Sequence, residues 1–363
     1  VTLVSADGRF GGPTKVALDL CAEQRRRGQD SSVYGGAAGF DDLPREFGGV
    51  PVVLAPTWSL VPKLGFAALV APGLTRMATK GLTGHEVFHV HLARDLVTLP
   101  VAIELRRRGL PYVIQTHGMI DASERRLAGL IDRLMTRRAV SGATSAFVLT
   151  HEEQTEIRRL SRGQTNALIL ENGVPDPSGT SDDVDRLGAL FLGRLHPRKG
   201  AALFAAAAGH LAADHPAGTF RIAGPDEGDL QNVRHALRGR AGGERVHLVG
   251  PVQPDAVTTV MNEAAVFVQP AHDEPFGMTI LEAMSVGTPP ILHVTSALAP
   301  LVTAARAGWT FDTEEDLTRL LADLLADETR TKAAGHNARE LVAERFSVRA
   351  VVDRLEGLYP VVA

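Results

Sequence analysis

The chain has 363 residues, of which 44% are hydrophobic and 22% charged, and its formal net charge is −4. That length exceeds a single core and divides by default into two domains of roughly 150–200 residues. The mild acidic balance, with no strongly basic domain, excludes general nucleic-acid binding, and the single Cys21 excludes an internal disulfide and fits a reducing compartment.

Thr2-Leu3-Val4-Ser5 reads as a strand, Asp7 to Pro13 as a glycine-rich turn, and Thr14 to Arg27 as a helix with an apolar stripe at Val16, Leu20 and Cys21. Strand, glycine loop and helix open a doubly wound α/β domain. The glycines at 8, 11 and 12 match neither G-x-G-x-x-G nor a P-loop. This opening is not that of a secretory signal, so a cytoplasmic location is expected. Val52 to Ala78 is apolar but broken by Pro56, Pro62, Lys63 and Pro72. It lacks the ~20 uninterrupted apolar residues of a membrane span and reads as core or inter-strand helix. The clusters Arg25-Arg26-Arg27, Arg106-Arg107-Arg108, Arg125-Arg126 and Arg137-Arg138 read as solvated helix ends. A membrane surface is the rival reading, which leaves open a peripheral contact of the first domain with the inner face of a membrane.

Val87 to His91 is the next strand, and Asp95 to Arg107 its helix. Alternation puts His89 and His91 on one sheet face, but no third ligand accompanies them, so no metal site is expected. Tyr112 to Thr116 is a strand ending in His117-Gly118-Met119, and a polar His there lies where open α/β sheets bind ligands. A strand at Ala146–Thr150 and the segment Ala167 to Pro175 follow. Pro175 to Asp185, rich in Pro, Ser, Gly, Thr and Asp, is the linker. Asp183-Val184-Asp185 has the form of a metal-binding D-x-D but reads as a solvated part of that linker. The expected domains are residues 1–178 and 179–345, with a last helix in 346–363.

The second domain restarts the alternation with a strand at Ala189–Leu192, the loop Gly193-Arg194-Leu195-His196-Pro197-Arg198-Lys199-Gly200 and an alanine-rich helix. Strands follow at Phe220–Gly224, Val246–Gly250, Val266–Gln269 and Ile291–Val294, then acidic helices over 314–345 and a helix from Phe346 to Pro360. After the fourth strand comes Glu274-Pro275-Phe276-Gly277-Met278-Thr279-Ile280-Leu281-Glu282. Pro275 and Gly277 postpone a helix to about Met278, so Glu274 sits in a loop and Glu282 one turn into the helix. The free N–H groups around Gly277, Met278, Thr279 and Ile280 make a helix N-terminus suited to phosphate. With a carboxylate on either side, the stretch suits a nucleoside diphosphate joined to a sugar. Glu282 accepts from ribose hydroxyls and Glu274 meets the sugar, while Arg194 and Lys199 stabilise the leaving diphosphate without a metal.

These motifs resemble those of the family-4 retaining glycosyltransferases: the E-x7-E run of Glu274 and Glu282, the G-R-x4-K-G run of Arg194 and Lys199, and His117-Gly118. The resemblance covers nearly the whole chain and implies the GT-B fold, two Rossmann-like doubly wound parallel-sheet domains facing a central cleft. It implies an acceptor-binding first domain, a nucleotide-sugar-binding second domain, and a last helix crossing back to the first. By it His117 contacts the donor sugar, the loop of Gly12 approaches the donor phosphates, Val252 lies in the segment around the base, and Phe276 belongs to the donor motif. The implied reaction moves a sugar, with retention, from a nucleotide-diphosphate donor to a hydroxyl of a sugar, lipid-linked or small-molecule acceptor, with no cofactor. In the His117-Gly118-Met119 segment and the helix expected after it, the chain looks most like members that build bacterial surface polysaccharides. Thr295 to Val302 departs from the family's glycine-pair and Pro-Glu-Val pattern.

The same residues are compatible with other chemistries. Two separated carboxylates invite a glycoside hydrolase, but the phosphate cations and two α/β halves fit one poorly. A natural-product glycosyltransferase, an epimerase or phosphorylase on the same fold, and a non-catalytic sugar- or nucleotide-binding module are the others.

Overall fold

A computed structural model of the chain describes residues 1–6, 11–60, 68–80, 86–120, 131, 135–177, 184–213 and 219–360. Two compact units divide it: Val1–Gly173 together with Val348–Ala363, and Val174–Ser347.

In the first unit Thr2–Ser5, Val33–Ala38 and Val50–Pro56 pair in parallel in that order, and Glu46–Phe47 closes the edge antiparallel. A second parallel row runs Phe88–His91, Tyr112–Gln115, Ser145–Val148, Asn166–Ile169. His91 N–H donates to the Val1 carbonyl at 2.9 Å and ties the rows edge to edge. Parallel strands are covered on both faces by their crossover helices, and all four residues of Tyr112–Gln115 are accordingly buried.

The starts of three helices differ from the sequence pattern. Gly11 and Gly12, expected in the turn, open the helix Gly11–Arg26, with Pro13 in the first turn, where a missing N–H is tolerated. Asp7 to Phe10, the rest of that turn, lie outside the described residues. The second helix is Thr98–Arg108, because Asp95 caps it rather than joining it. The Asp95 carboxylate accepts from Val97 N–H at 2.8 Å, Thr98 N–H at 2.6 Å and the Thr98 hydroxyl at 3.0 Å. The last helix is Val348–Glu356, preceded by the π-helical turn Val342–Phe346.

The reading of the arginines as solvated helix ends needs correction at Arg27, while Arg106 stays exposed in the last turn of its helix. Arg27 donates to Asp353 at 2.6 Å, Glu356 at 3.2 Å and the Arg349 carbonyl at 3.0 Å, so it joins the first helix to the last. Arg106 donates to the Arg138 carbonyl at 2.8 Å. Arg107 and Arg108 stay at the surface on Glu104, and Arg125-Arg126 lie outside the described residues. The apolar stretch resolves into the strand Val50–Pro56 and the short helix Pro72–Ala78. No helix among the described residues is long and apolar enough to cross a membrane.

The second unit is one parallel sheet of six strands, in the order Val246–Gly250, Phe220–Ala223, Ala189–Leu192, Val266–Gln269, Pro290–His293, Trp309–Phe311. Numbered along the chain this is 3-2-1-4-5-6, the doubly wound order. Its direction of winding reverses between strands 1 and 4, and ligands bind in the crevice beyond the carboxyl ends of those two. The core packs Phe191, Phe204, Phe220 and Ile291 between sheet and helices. Asp183 lies outside the described residues, and Asp185 is exposed.

Loss of the buried cap should weaken the first unit measurably. Asp95→Ala is expected to lower the unfolding free energy by about 1–2 kcal/mol, with Asp95→Asn recovering most of it. Denaturant titration of the three proteins reads this, and equal midpoints would leave the cap without energetic weight.

Candidate functional site

The two strands that flank the winding reversal in the second unit each end in a loop bearing charge. After Ala189–Leu192, the His196 Nδ1 accepts from Arg198 N–H at 3.2 Å and starts the 3-10 turn Pro197–Lys199. Gly200 closes that turn at φ 72°, and a Cβ there would lie 2.9 Å from the Pro270 carbonyl oxygen. The Lys199 loop is thus pressed against the end of the neighbouring strand, as only glycine permits.

After Val266–Gln269 the chain bends at Asp273, whose φ is 52°. Asp273 N–H donates to the Thr295 hydroxyl at 2.8 Å, and Ala297 N–H donates to the Glu274 carbonyl at 3.0 Å. The segment that departs from the family pattern therefore buttresses the Glu274 turn. Gly277, at φ 73°, caps the helix Met278–Ser285, and a Cβ on it would lie 2.5 Å from Ile280 Cδ1. Phe276 is buried edge-on against Phe346, with centroids 6.2 Å apart, so its ring anchors the turn and does not line the cavity.

Arg194, Lys199 and Glu274 meet in one cavity of about 300 Å³, with His196, Arg198, Glu227, His272, Asp273 and Pro275. Lys199 Nζ donates to Glu274 Oε2 at 2.5 Å, and the two side chains are 26% and 8% exposed. Arg194 Nη1 donates to Glu227 Oε2 at 2.8 Å, with 61% and 36% exposed. Glu227 was not foreseen, since it stands in the turn Gly224-Pro225-Asp226-Glu227-Gly228, where acidic residues are ordinary. Met278, Thr279 and Glu282 are half-buried on the helix beside this cavity wall, and Val252 is half-buried beyond the third strand; none of the four lines the cavity.

Gly12 and His117 belong to the first unit. Gly12 is exposed in the first turn of its helix. His117 adopts φ 51° and is bonded through both ring nitrogens. Its Nδ1 lies 3.1 Å from Asn172 Oδ1, which also accepts from Gln115 Nε2 at 3.0 Å. An amide oxygen only accepts, so Nδ1 carries the proton, and Nε2 accepts from His91 Nδ1–H at 2.7 Å. With 7° between the rings and 5.0 Å between their centroids, this is an end-to-end bond in one plane rather than a face-to-face stack. His89 lies parallel to His91 at 4.6 Å, and its Nδ1 meets the Tyr359 hydroxyl at 3.1 Å. Burial lowers the pKa of His117 to about 4 despite the Asn172 bond, and burial, with neighbouring positive charge, holds His89 and His91 well below the usual range. All three are neutral near pH 7. Among the described residues no group of three or more His, Cys, Asp or Glu could hold a metal ion.

Residues 11–173 match the sequence profile of the glycosyl transferase 4-like domain, and residues 180–341 that of glycosyl transferases group 1. The chain is 25% identical over 283 residues to the phosphatidylinositol N-acetylglucosaminyltransferase gpi3 subunit of Schizosaccharomyces pombe, covering 76% of this chain and 60% of that protein. It is 29% identical to the D-inositol 3-phosphate glycosyltransferase of Acidothermus cellulolyticus, covering 97% and 86%. Among solved structures, Anabaena HepE in complex with UDP superposes with a TM-score of 0.72 at 18% identity, covering 98% of both chains. HepE in complex with UDP-glucose gives 0.70 at 19%. These structural likenesses carry the fold, which is GT-B with two Rossmann-like units.

Acid should destabilise the first unit through its neutral histidines. Their folded pKa values lie below the ordinary 6.5, so between about 6.5 and about 4 the unfolded chain binds protons that the folded chain does not. Stability present above pH 6.5 is then lost as pH falls toward 4. Asp95, raised to about 6 by burial, acts in the opposite sense, one group against three. The thermal midpoint is expected to fall between pH 7.5 and pH 5, and His91→Gln should flatten the fall; a wild-type midpoint that does not drop would contradict the neutral cluster.

Proposed function

From the premise that this chain belongs to the family-4 type of glycosyltransferase, we propose that it moves a sugar from a nucleotide-diphosphate donor to a hydroxyl acceptor with retention and without a metal. The observation that carries the donor assignment is the meeting of Arg194, Lys199 and Glu274 in one cavity, on loops following the two strands that flank the winding reversal. In this reading its two cations supply the countercharge that a diphosphate needs as the glycosidic bond breaks. UDP and UDP-glucose, bound in HepE, are the donor chemistry to test first.

In this reading Glu282 takes the ribose hydroxyls and Glu274 the sugar, with the N–H groups of Gly277 to Thr279 facing phosphate. The acceptor hydroxyl attacks on the face the phosphate leaves, and the departing phosphate oxygen takes its proton. Glu274, held by Lys199, orients rather than forms a covalent intermediate. His117 meets the donor sugar as a neutral imidazole; its Nδ1–H is kept by Asn172, so the atom it offers is Nε2, which His91 has to release. Gly12 and Val252 complete the donor assignment at the phosphates and base.

The first unit takes the acceptor, a sugar, lipid-linked or small molecule, in bacterial polysaccharide or glycoconjugate synthesis on the cytoplasmic side. Trp58 and Leu60, each 63% exposed, support a peripheral contact with lipid.

Arg194→Ala and Lys199→Ala are each expected to lower turnover on the order of 10²-fold. Glu282→Ala should act mainly on nucleotide affinity. A thermal-shift and calorimetry panel of UDP, GDP and ADP with their glucose esters, followed by turnover of the variants, reads all three. Stabilisation by none of the nucleotides, or full transfer by both cation variants, would remove the donor assignment.

A further inference from the structure

We infer that the Lys199–Glu274 pair couples the two halves of the donor site, so that the diphosphate and the sugar each strengthen the binding of the other. The inference rests on the nucleotide-sugar reading and concerns what that reading leaves open, namely how the site distinguishes the sugar-bearing donor from the nucleoside diphosphate left after transfer.

Glu274 is buried and its carboxylate is bonded to the Lys199 ammonium at 2.5 Å. A diphosphate that recruits Lys199 competes with that carboxylate. Once the ammonium turns toward phosphate, Glu274 is a buried anion that has lost its cation, which is strongly unfavourable. Sugar hydroxyls are the donors that remedy this, since a carboxylate accepts several hydrogen bonds. A nucleoside diphosphate without its transferable sugar brings none to Glu274, since its ribose hydroxyls go to Glu282. Phosphate contact is therefore favourable in proportion to how well the sugar satisfies Glu274, and by linkage the dependence is reciprocal. After transfer, Glu274 draws Lys199 back and loosens the remaining diphosphate.

The second cation supplies an internal comparison. Arg194 is likewise paired, with Glu227 at 2.8 Å, but these side chains are 61% and 36% exposed. When Arg194 turns to phosphate, water solvates Glu227, so the exchange is nearly neutral and carries no information about the sugar. Two glutamates thus compete for the two cations, and only the buried one links its cation to the sugar.

The test measures affinities for UDP and UDP-glucose by calorimetry, or for whichever of the UDP, GDP and ADP pairs the wild type binds. Glu274→Gln removes the charge and keeps the shape and the capacity to meet hydroxyls. UDP is expected to bind more tightly to it, on the order of tenfold, while UDP-glucose gains less, so the preference for the sugar-bearing form shrinks. In Glu227→Gln both affinities should shift together and the preference should stay as in the wild type. UDP affinity unchanged or weakened in Glu274→Gln, or an equal loss of preference in Glu227→Gln, overturns the coupling. A wild-type chain that binds none of the three nucleotides instead overturns the donor reading beneath it. Glu274→Ala carries the same expectation for UDP should the Gln variant fail to fold, which its thermal melt reports.

Discussion

A carboxylate taken out of water must keep a cation or several hydrogen-bond donors, and in the second unit that constraint falls on Glu274. Much of the surrounding loop structure meets it. His196 and Pro197 start the turn that aims Lys199, and Gly200 lets that turn rest on Pro270. Asp273 bends the chain so that Glu274 enters the cavity, and Thr295 and Ala297 hold the bend by hydrogen bonds. The left-handed Gly277 then launches the helix without obstructing Ile280. Remove the need to pair one buried anion, and most of these devices lose their purpose.

Chain winding explains why the paired residues are far apart in sequence yet adjacent in space. A doubly wound sheet turns away in two directions from its first and fourth strands, and the loops after those strands are left without a covering helix between them. Arg194 and Lys199 come from one such loop and Glu274 from the other. The first unit treats polarity differently. Its histidines are desolvated and neutral, with His89 bonded to Tyr359, His91 bonded through His117 to Asn172, and the His89 and His91 rings parallel, so they contribute fixed geometry rather than charge.

How much of this was readable beforehand depended on how local the cause was. The strand Ala189–Leu192 has a run of four buried apolar residues bounded by glycines, and its position was read to the residue. Val33–Ala38, with the sequence VYGGAA, carries a weak strand signal because only Val33 and Tyr34 mark a strand and the Gly-Gly-Ala-Ala that follows does not. A Cβ on its Gly36 would lie 2.6 Å from Val97 Cγ1, a close approach that sequence alone does not announce. Arg194, Lys199 and Glu274 were legible as residue types at strand ends, but their glutamate partners depended on side-chain directions across the sheet. The double bonding of His117 joined residues 91, 117 and 172, a relation set by tertiary packing. Likewise Arg27 looked like one of three surface arginines until the last helix was seen beside it.

That last helix has a consequence for how the molecule is made. Val348, Val351, Val352 and Leu355 are buried on it, and it meets Arg27 of the first helix. Yet Val348–Ala363 leaves the ribosome only after the whole of Val174–Ser347. The body begun first is therefore the body finished last. During synthesis at about 5–20 residues per second, Arg27 and the apolar face awaiting this helix stay uncovered while an entire second sheet is translated. The nascent first unit spends that interval as an incomplete fold, and the helix Val348–Glu356 closes its core only once the second unit has been made.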